Sequence, residues 1–143
     1  MDRDVATRQT VELTRVYHFS AAHQLQQPAL SADANAALYG PCAGLHGHNY
    51  YVEVTVSGTP DPVTGMAVDL GAIDSGVQRA LLAEVDHRRL EAVPALAGVV
   101  TTGEGLARAF WKVVAPVVAP AALARVTVVE TAKNRFEYRG EDQ

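Results

Sequence analysis

The chain has 143 residues, of which 48% are hydrophobic and 20% are charged, and its formal net charge is −4. This length fits one domain, residues 1–143, and the acidic balance excludes the basic surface that nucleic-acid binding requires. No apolar run approaches the roughly 20 residues that span a bilayer. The charged N-terminus argues against a signal peptide, and one cysteine cannot form an internal disulfide. We therefore expect a cytoplasmic protein, with residues 1–9 as a flexible tail.

The first half of the chain predicts two strands separated by a loop. Residues 10–23 are rich in β-branched and aromatic side chains, which favour a strand. Residues 26–41 contain prolines and glycines and predict a loop with one short helical turn at 33–38. Residues 46–58 alternate apolar and polar side chains, the period of a half-buried strand.

Two helices are predicted next. Asp69 is a suitable N-cap for a helix that continues to about residue 85, because apolar residues recur there at spacings of three and four. Thr101-x-x-Glu104 has the form of a capping box and is expected to open the second helix. Pro116 and Pro120 are expected to end it.

Two further strands complete the chain. Residues 124–131 alternate in polarity, with Val126, Val128 and Glu130 on one face, and residues 136–139 follow after a turn. The order strand, strand, helix, helix, strand, strand indicates an α+β fold. We expect a four-stranded antiparallel sheet with two helices on one face.

Three histidines are placed to converge at one end of this sheet. His46 and His48 lie two apart on a strand, so their side chains project from the same face. His23 ends the preceding strand, and all three imidazoles meet if these strands pair antiparallel. Three histidines with an open fourth position are typical of a catalytic zinc site, since structural sites usually have four protein ligands. His18 is interpreted as structural.

Four other residues could carry chemistry, and each has a structural alternative. Cys42 could be a fourth metal ligand, a general base whose pKa a nearby cation lowers, or a small buried hydrophobic residue. Asp86–His87 could be a proton-transfer pair, or His87 could cap the C-terminus of a helix. Glu130 interrupts an apolar strand face, where it could bind a ligand with two N–H donors or reach solvent.

Seven short motifs, in this order, resemble the 6-pyruvoyltetrahydropterin synthase / 6-carboxytetrahydropterin synthase family. The resemblance covers about residues 13 to 140 and includes every functional block of the family. The motifs are FSAAH, Cys-x-x-x-His-Gly-His-Asn-Tyr, Gly-Met-Ala-Val-Asp-Leu, Asp-His-Arg-Arg-Leu, Thr-Thr-Gly-Glu, Val-Glu-Thr and Tyr-Arg-Gly.

The resemblance implies the tunnelling fold (T-fold) and a specific assembly. In this family trimers close a β-barrel, and two trimers stack into a hexamer with active sites between subunits. The resemblance also implies Zn²⁺ bound by His23, His46 and His48.

The family resemblance further assigns roles around the metal. It casts Cys42 as the general base and the Asp86–His87 pair as its proton-transfer partner from a neighbouring subunit. The remaining assignments concern the pterin, whose amidine edge would be held by Glu130, with Thr102 and Glu104 nearby.

The implied substrate is 7,8-dihydroneopterin triphosphate, and two products divide the family. One branch forms 6-pyruvoyltetrahydropterin, on the way to biopterin. The other forms 6-carboxytetrahydropterin and acetaldehyde, on the way to queuosine and other deazapurines. Three residues between Cys42 and His46 are typical of the carboxy branch, whereas segments 31–42 and 61–70 look more like the pyruvoyl branch. We favour the carboxy product, with the pyruvoyl product as the alternative.

The chain departs from the family pattern at two positions, and two other kinds of protein are alternatives. The family commonly has arginine after the first histidine and asparagine after the glutamate of the second helix, where this chain has Gln24 and Gly105. A cupin-like metal site would need Glu53 beside His48, but the two have opposite strand parity. A non-catalytic zinc- and pterin-binding protein is the other rival, and the presence of Cys42 argues against it.

Overall fold

A computed structural model describes residues 9–140 and gives five strands and four α-helices there. The predicted tail therefore lies outside the described residues, apart from Gln9. The strands are β1 (Val11–His23), β2 (His46–Gly58), β3 (Arg88–Arg89), β4 (Ala122–Thr131) and β5 (Asn134–Tyr138). The helices are α1 (Ala32–Tyr39), α2 (Leu70–Val77), α3 (Ala83–Val85) and α4 (Gly103–Val118), with a π-helical turn, Gln78–Leu82, joining α2 to α3.

The four long strands form the antiparallel sheet that the sequence predicts, in an α+β fold. Their order is β1, β2, β4, β5, and the short β3 adds a parallel edge beside β1 that the sequence did not predict. This edge forms because the chain turns sharply after α3. His87 has a positive φ of 60°, and its backbone N–H donates to the carbonyl of Ser20 at 2.6 Å.

The core lies between one face of the sheet and the helices. Phe19 of β1 stacks on Tyr50 of β2 with ring centroids 4.8 Å apart, and Phe110 of α4 meets Phe19 edge-on at 5.9 Å. All three side chains are fully buried. Aromatic pairs of this geometry add to the stabilisation from apolar burial. This packing fixes the ends of β1 and β2 where the histidines lie.

Asp69 caps α2 as predicted, and α4 ends at Val118, just before Pro120 as predicted, but the N-cap of α4 and the place of Pro116 differ from the prediction. Asp69 Oδ1 accepts from the backbone N–H of Ala72 at 3.1 Å. The N-cap of α4 is Thr102 rather than Thr101, because the Thr102 hydroxyl accepts from Gly105 N–H at 3.1 Å. Pro116 lies inside the helix rather than at its end. It occupies the last turn, where the loss of one N–H donor still allows two more helical residues.

The other differences are small shifts of element bounds. The helical turn expected at 33–38 is α1, β4 begins at Ala122, and β5 spans Asn134–Tyr138. No helix among the described residues has the length and apolar character needed to cross a membrane.

Candidate metal centre and active site

Antiparallel pairing of β1 with β2 brings the three predicted histidines together. In the register His23 lies opposite His46, and Ala21 lies opposite His48. His23, His46 and His48 therefore project from the helix-facing side of the sheet. One ligand atom from each lies within 4.8 Å of the other two, and among the described residues no other group of three His, Cys, Asp or Glu side chains is as close.

In two of these histidines a hydrogen bond at Nδ1 leaves Nε2 free to act as an acceptor. His23 Nδ1 lies 2.9 Å from the carbonyl oxygen of Thr101, and His46 Nδ1 lies 2.7 Å from that of Gly44. A carbonyl can only accept, so each Nδ1 carries the proton and each Nε2 presents a lone pair. Metal-binding histidines are commonly oriented in this way.

Two of the ring nitrogens are buried without a protein partner. The Nε2 atoms of His23 and His48 have no hydrogen bond among the described residues. A buried polar atom without a partner is costly, and a metal ion would satisfy both atoms at once. The donor set of three imidazoles fits Zn²⁺ with one position left open for a substrate.

Burial favours the neutral form of two of these rings, His23 and His48. Burial is the main cause of the lowered pKa of both His23 and His48. The nearby Glu130 carboxylate acts in the opposite direction on each ring but does not outweigh burial. A neutral imidazole is the form that binds a metal.

Two supporting residues escaped the sequence analysis. Tyr50 is fully buried, and its hydroxyl lies 3.3 Å from His23 Nδ1. Tyr50 follows His48 by two residues and so shares its strand face, which could have suggested that it contacts the histidines. Thr101 supplies the carbonyl that fixes the His23 ring. It is 78 residues from His23 in sequence, and no local pattern predicts that contact.

Glu130 lies beside the histidines. Its Oε1 is 3.9 Å from His48 Nε2, too far for a hydrogen bond, and its side chain is 17% exposed. Val126 and Val128 on the same strand are fully buried, so Glu130 continues their face towards the rim of the sheet. The carboxylate can therefore accept hydrogen bonds from a ligand that approaches the metal centre.

Cys42 belongs to a short 3-10 turn, Gly40–Ala43, that precedes β2. Its thiol is free and exposed, so the buried alternative for this residue is wrong. Its sulfur is outside the group of ligand atoms that the three histidines form. This position does not support a fourth ligand, and the role of a base stays a prediction.

Asp86 and His87 form a hydrogen-bonded pair at the turn before β3. His87 Nδ1 lies 3.0 Å from Asp86 Oδ1, and the same oxygen accepts from Ser20 N–H at 3.0 Å. The hydrogen bond from Ser20 is the main cause of the lowered pKa of the Asp86 carboxyl. His87 is 84% exposed, and it shares the lining of a cavity of about 500 Å³ with His48 and Asn49.

Thr102 and Glu104 line a different cavity, of about 720 Å³, on the outer side of α4. Neither Glu130 nor any of the three histidines lines that cavity. The departure at Gly105 has a local cause, because a Cβ at this position would lie 2.1 Å from the carbonyl oxygen of Val100. Asparagine cannot replace Gly105 here without a shift of the backbone.

Glu53, which a cupin-like site would require, makes a different interaction. Both of its carboxylate oxygens accept from the guanidinium of Arg135, at 2.8 and 3.1 Å. Glu53 is absent from the group of possible metal ligands. The structure therefore disfavours the cupin-like alternative.

Comparisons with known proteins find similar sequences over most of the chain. A sequence profile of the family described as 6-pyruvoyl tetrahydropterin synthase matches residues 12–141. The 6-pyruvoyl tetrahydrobiopterin synthase of Poecilia reticulata is 41% identical over 132 residues and covers 90% of both chains. The Homo sapiens protein of the same name is 38% identical over 133 residues, which are 91% of this chain and 92% of that one.

A solved structure shows the same fold. The chain is similar to Caenorhabditis elegans 6-pyruvoyl tetrahydropterin synthase with a TM-score of 0.86 and 37% identity, over 92% of this chain and 96% of the other. The fold inferred from the resemblance is confirmed by this match. The trimeric barrel and the hexamer stay predictions.

Proposed function

This chain belongs to the 6-pyruvoyl tetrahydropterin synthase family, and we propose that it is a zinc-dependent lyase that converts 7,8-dihydroneopterin triphosphate to 6-pyruvoyltetrahydropterin and triphosphate. The observation that carries the proposal is the cluster of His23, His46 and His48, with two buried Nε2 atoms that lack a protein partner. This product was the alternative in the sequence analysis, which favoured 6-carboxytetrahydropterin.

The relatives support the pyruvoyl product over the carboxy product. Proteins named 6-pyruvoyl tetrahydrobiopterin synthase are 38% to 41% identical to this chain over about nine-tenths of its length. The carboxy interpretation depended on a single spacing, the three residues between Cys42 and His46. Similarity along the whole chain is a stronger argument than this spacing, because the spacing describes one turn only.

A bound Zn²⁺ would act as a Lewis acid towards the hydroxyl groups of the substrate side chain and make the adjacent C–H more acidic. The protein residues would then do the proton transfers. Cys42, as thiolate, would take the proton from the middle carbon of the side chain while the C–O bond to the triphosphate breaks and the triphosphate leaves with the electron pair; the resulting enol becomes a ketone. Loss of the proton from the carbon attached to the ring would send its electron pair into the C=N bond of the ring, so this carbon is oxidised to the second ketone as the dihydropterin is reduced to the tetrahydropterin. His87, held by Asp86 at 3.0 Å, would return a proton to the tetrahydropterin product.

Glu130 would orient the pterin. The amidine edge of a pterin offers two N–H donors side by side, and a carboxylate accepts both. Glu130 lies 3.9 Å from His48 Nε2. From there it would hold the pterin ring beside the metal, so that the side chain of the substrate reaches the metal. We propose that Thr102 and Glu104 contribute to the pterin pocket from their own cavity once the protein has assembled.

The proposed assembly is a hexamer made of two trimers. The exposure of His87 supports this proposal, because a general acid works best where water is excluded and a second copy could cover it. β5 and the two-residue β3 form the edges of the sheet, where strands of neighbouring copies could pair. Analytical ultracentrifugation of the zinc-loaded protein tests the assembly, and a monomer would contradict it.

The function is tested by mass spectrometry of the products after zinc-loaded protein is incubated with 7,8-dihydroneopterin triphosphate. We expect 6-pyruvoyltetrahydropterin and triphosphate. Carboxytetrahydropterin with acetaldehyde would reinstate the interpretation from the Cys42–His46 spacing. Zinc binding without any product would favour the non-catalytic alternative, and the Cys42→Ala variant provides the inactive control.

A further inference from the structure

Three consecutive carbonyls in the turn that carries Cys42 accept hydrogen bonds. The carbonyl of Cys42 accepts from the backbone N–H of Leu25 at 2.9 Å. That of Ala43 accepts from the side-chain amide of Gln24, Nε2, at 2.7 Å. That of Gly44 accepts from the His46 ring at 2.7 Å. Of these three donors, one is a backbone group and one is a proposed metal ligand. Gln24 is the third, and it donates through its side chain.

The Gln24 amide is itself oriented by a charged neighbour. Arg89 NH2 donates to Gln24 Oε1 at 2.8 Å, which turns Nε2 towards Ala43. A donor on one side and an acceptor on the other fix the amide in this orientation, because its reverse would lose both bonds. Arg89 Nε also lies 3.5 Å from Glu91 Oε2.

The same network reaches the metal centre. Glu91 Oε1 accepts from Gln24 N–H at 2.5 Å and from the Thr101 hydroxyl at 3.2 Å. Thr101 in turn fixes the His23 ring through its carbonyl. Polar side chains therefore connect the turn of Cys42 to the first histidine of the metal centre, at a position where the family commonly has arginine and this chain has Gln24.

We propose that Gln24 and Arg89 are positioning residues, which hold the Cys42 turn in register with the metal centre. The proposal rests on the proposed function, since it concerns the geometry of the proposed base. The turn is otherwise exposed and short, and it begins at Gly40 with a positive φ of 59°. A displacement of about 1 Å at a reacting group can cost roughly a hundredfold in rate, so a clamp on this turn matters for catalysis.

Gln24→Met tests the clamp without a change of charge. Methionine has nearly the same length but can neither donate to Ala43 nor accept from Arg89. We expect kcat to fall about tenfold while KM and zinc content stay close to wild type. Gln78→Met, on the exposed surface of the π-helical turn, is the matched control and should leave kcat unchanged.

A thiol measurement separates this proposal from the proposed function. Cys42 is the only cysteine in the chain, so the rate of alkylation by iodoacetamide at a fixed pH reports on this thiol alone. We expect that rate to differ by at least about twofold between zinc-loaded Gln24→Met and wild type, because a turn released from Gln24 changes the access to its thiol. If wild type lacks turnover, the proposed function fails, yet this comparison still decides whether the clamp exists.

The part played by Arg89 is tested by a double-mutant cycle. Arg89→Gln should lower kcat less than Gln24→Met, and the two effects should not add, because Arg89 acts through the Gln24 amide. Arg89→Lys keeps one charged donor and should recover most of the loss, and Arg79→Gln is the charge-matched control on the exposed surface. Unchanged kcat and an unchanged alkylation rate of Cys42 in Gln24→Met would overturn the proposal. A fall in kcat accompanied by loss of zinc would also overturn it, since Gln24 would then act through His23.

Discussion

The candidate metal centre and the Asp86–His87 pair both contact the end of β1, yet their surroundings differ sharply. His23 is 1% exposed and lies on the helix-facing side of the sheet, held by contacts that one chain supplies in full. The His87 side chain is 84% exposed, at the turn before the edge strand β3. One region is thus closed by its own chain, and the other is open to solvent or to a second copy.

The physical causes of the pKa shifts differ in the same way. Burial lowers the pKa of His23 and His48 and favours the neutral imidazole. Hydrogen bonds from Ser20 N–H and from the His87 ring lower the pKa of the Asp86 carboxyl. In the first region burial favours neutral imidazoles, which are free to bind a cation. In the second region hydrogen bonds keep the Asp86 carboxylate charged although it is in contact with water.

Metal binding and proton transfer, as proposed, would therefore depend on different levels of structure. The proposed metal site is complete in a single chain, because β1 and β2 pair along their full length. The proposed acid–base pair has its internal hydrogen bond but no cover. We therefore expect metal binding to survive changes in assembly and turnover to depend on assembly.

Removal of one proposed metal ligand should have the largest effect. We expect His48→Ala to lose zinc and to lower turnover by more than about a hundredfold. Loss of a residue that only orients a ligand lowers activity by about ten- to a hundredfold, and loss of the ligand itself should lower it more. Zinc is measured by inductively coupled plasma mass spectrometry and turnover by product formation. His18→Ala is the control, since His18 contacts the ring of Tyr51 and is not in the histidine cluster.

A variant of the open region should separate turnover from metal binding. His87→Asn keeps a residue that tolerates the positive φ of 60° at this position but removes the ionisable ring. We expect turnover to fall about a hundredfold or more, as for loss of a general acid, with zinc content unchanged. Loss of zinc from His87→Asn would mean that the two regions are not independent.

Mixing the two inactive variants would reveal whether two chains share a site. If the pair of one chain serves the metal centre of another, His48→Ala and His87→Asn unfolded and refolded together should regain activity. Random association would restore about a quarter of the sites. Each variant refolded alone is the control. No recovery from mixtures shown to contain both variants would place each complete site within one chain.

The strand pattern made the histidine cluster predictable, and it also placed Glu130 on the buried face. Period-two alternation in 46–58 and the end of β1 at His23 were sufficient for this. The contact of Thr101 with His23 was not predictable, because it joins residues 78 apart through a backbone carbonyl. The capping box misled for a related reason. Thr101 and Thr102 both suit an N-cap, and only the tertiary contacts of Thr101 with Glu91 and His23 leave the cap to Thr102.

Sequence could suggest the Asp86–His87 pair but not its geometry. Neighbouring residues need not bond, and here the 3.0 Å contact accompanies a positive φ at His87 that the sequence did not predict. The parallel edge strand β3 has only two residues, too few for any periodic pattern. The departure at Gln24 acquired an explanation only from a contact distant in sequence, with Arg89, and that at Gly105 only from the close approach of the Val100 carbonyl.

The smallest effect expected is a pH-dependent loss of stability in Asp86→Asn. The folded-state pKa of Asp86 lies below the ordinary 3.8, so its contribution is present above pH 3.8 and is lost as the pH falls through the lowered value. Asparagine retains an oxygen for Ser20 N–H but carries no charge. Urea unfolding should therefore show the variant less stable than wild type at pH 7, with the difference shrinking below pH 3.8. Glu84→Gln, exposed on α3, is the control. A difference independent of pH would mean that Asp86 stabilises the turn by shape rather than by charge.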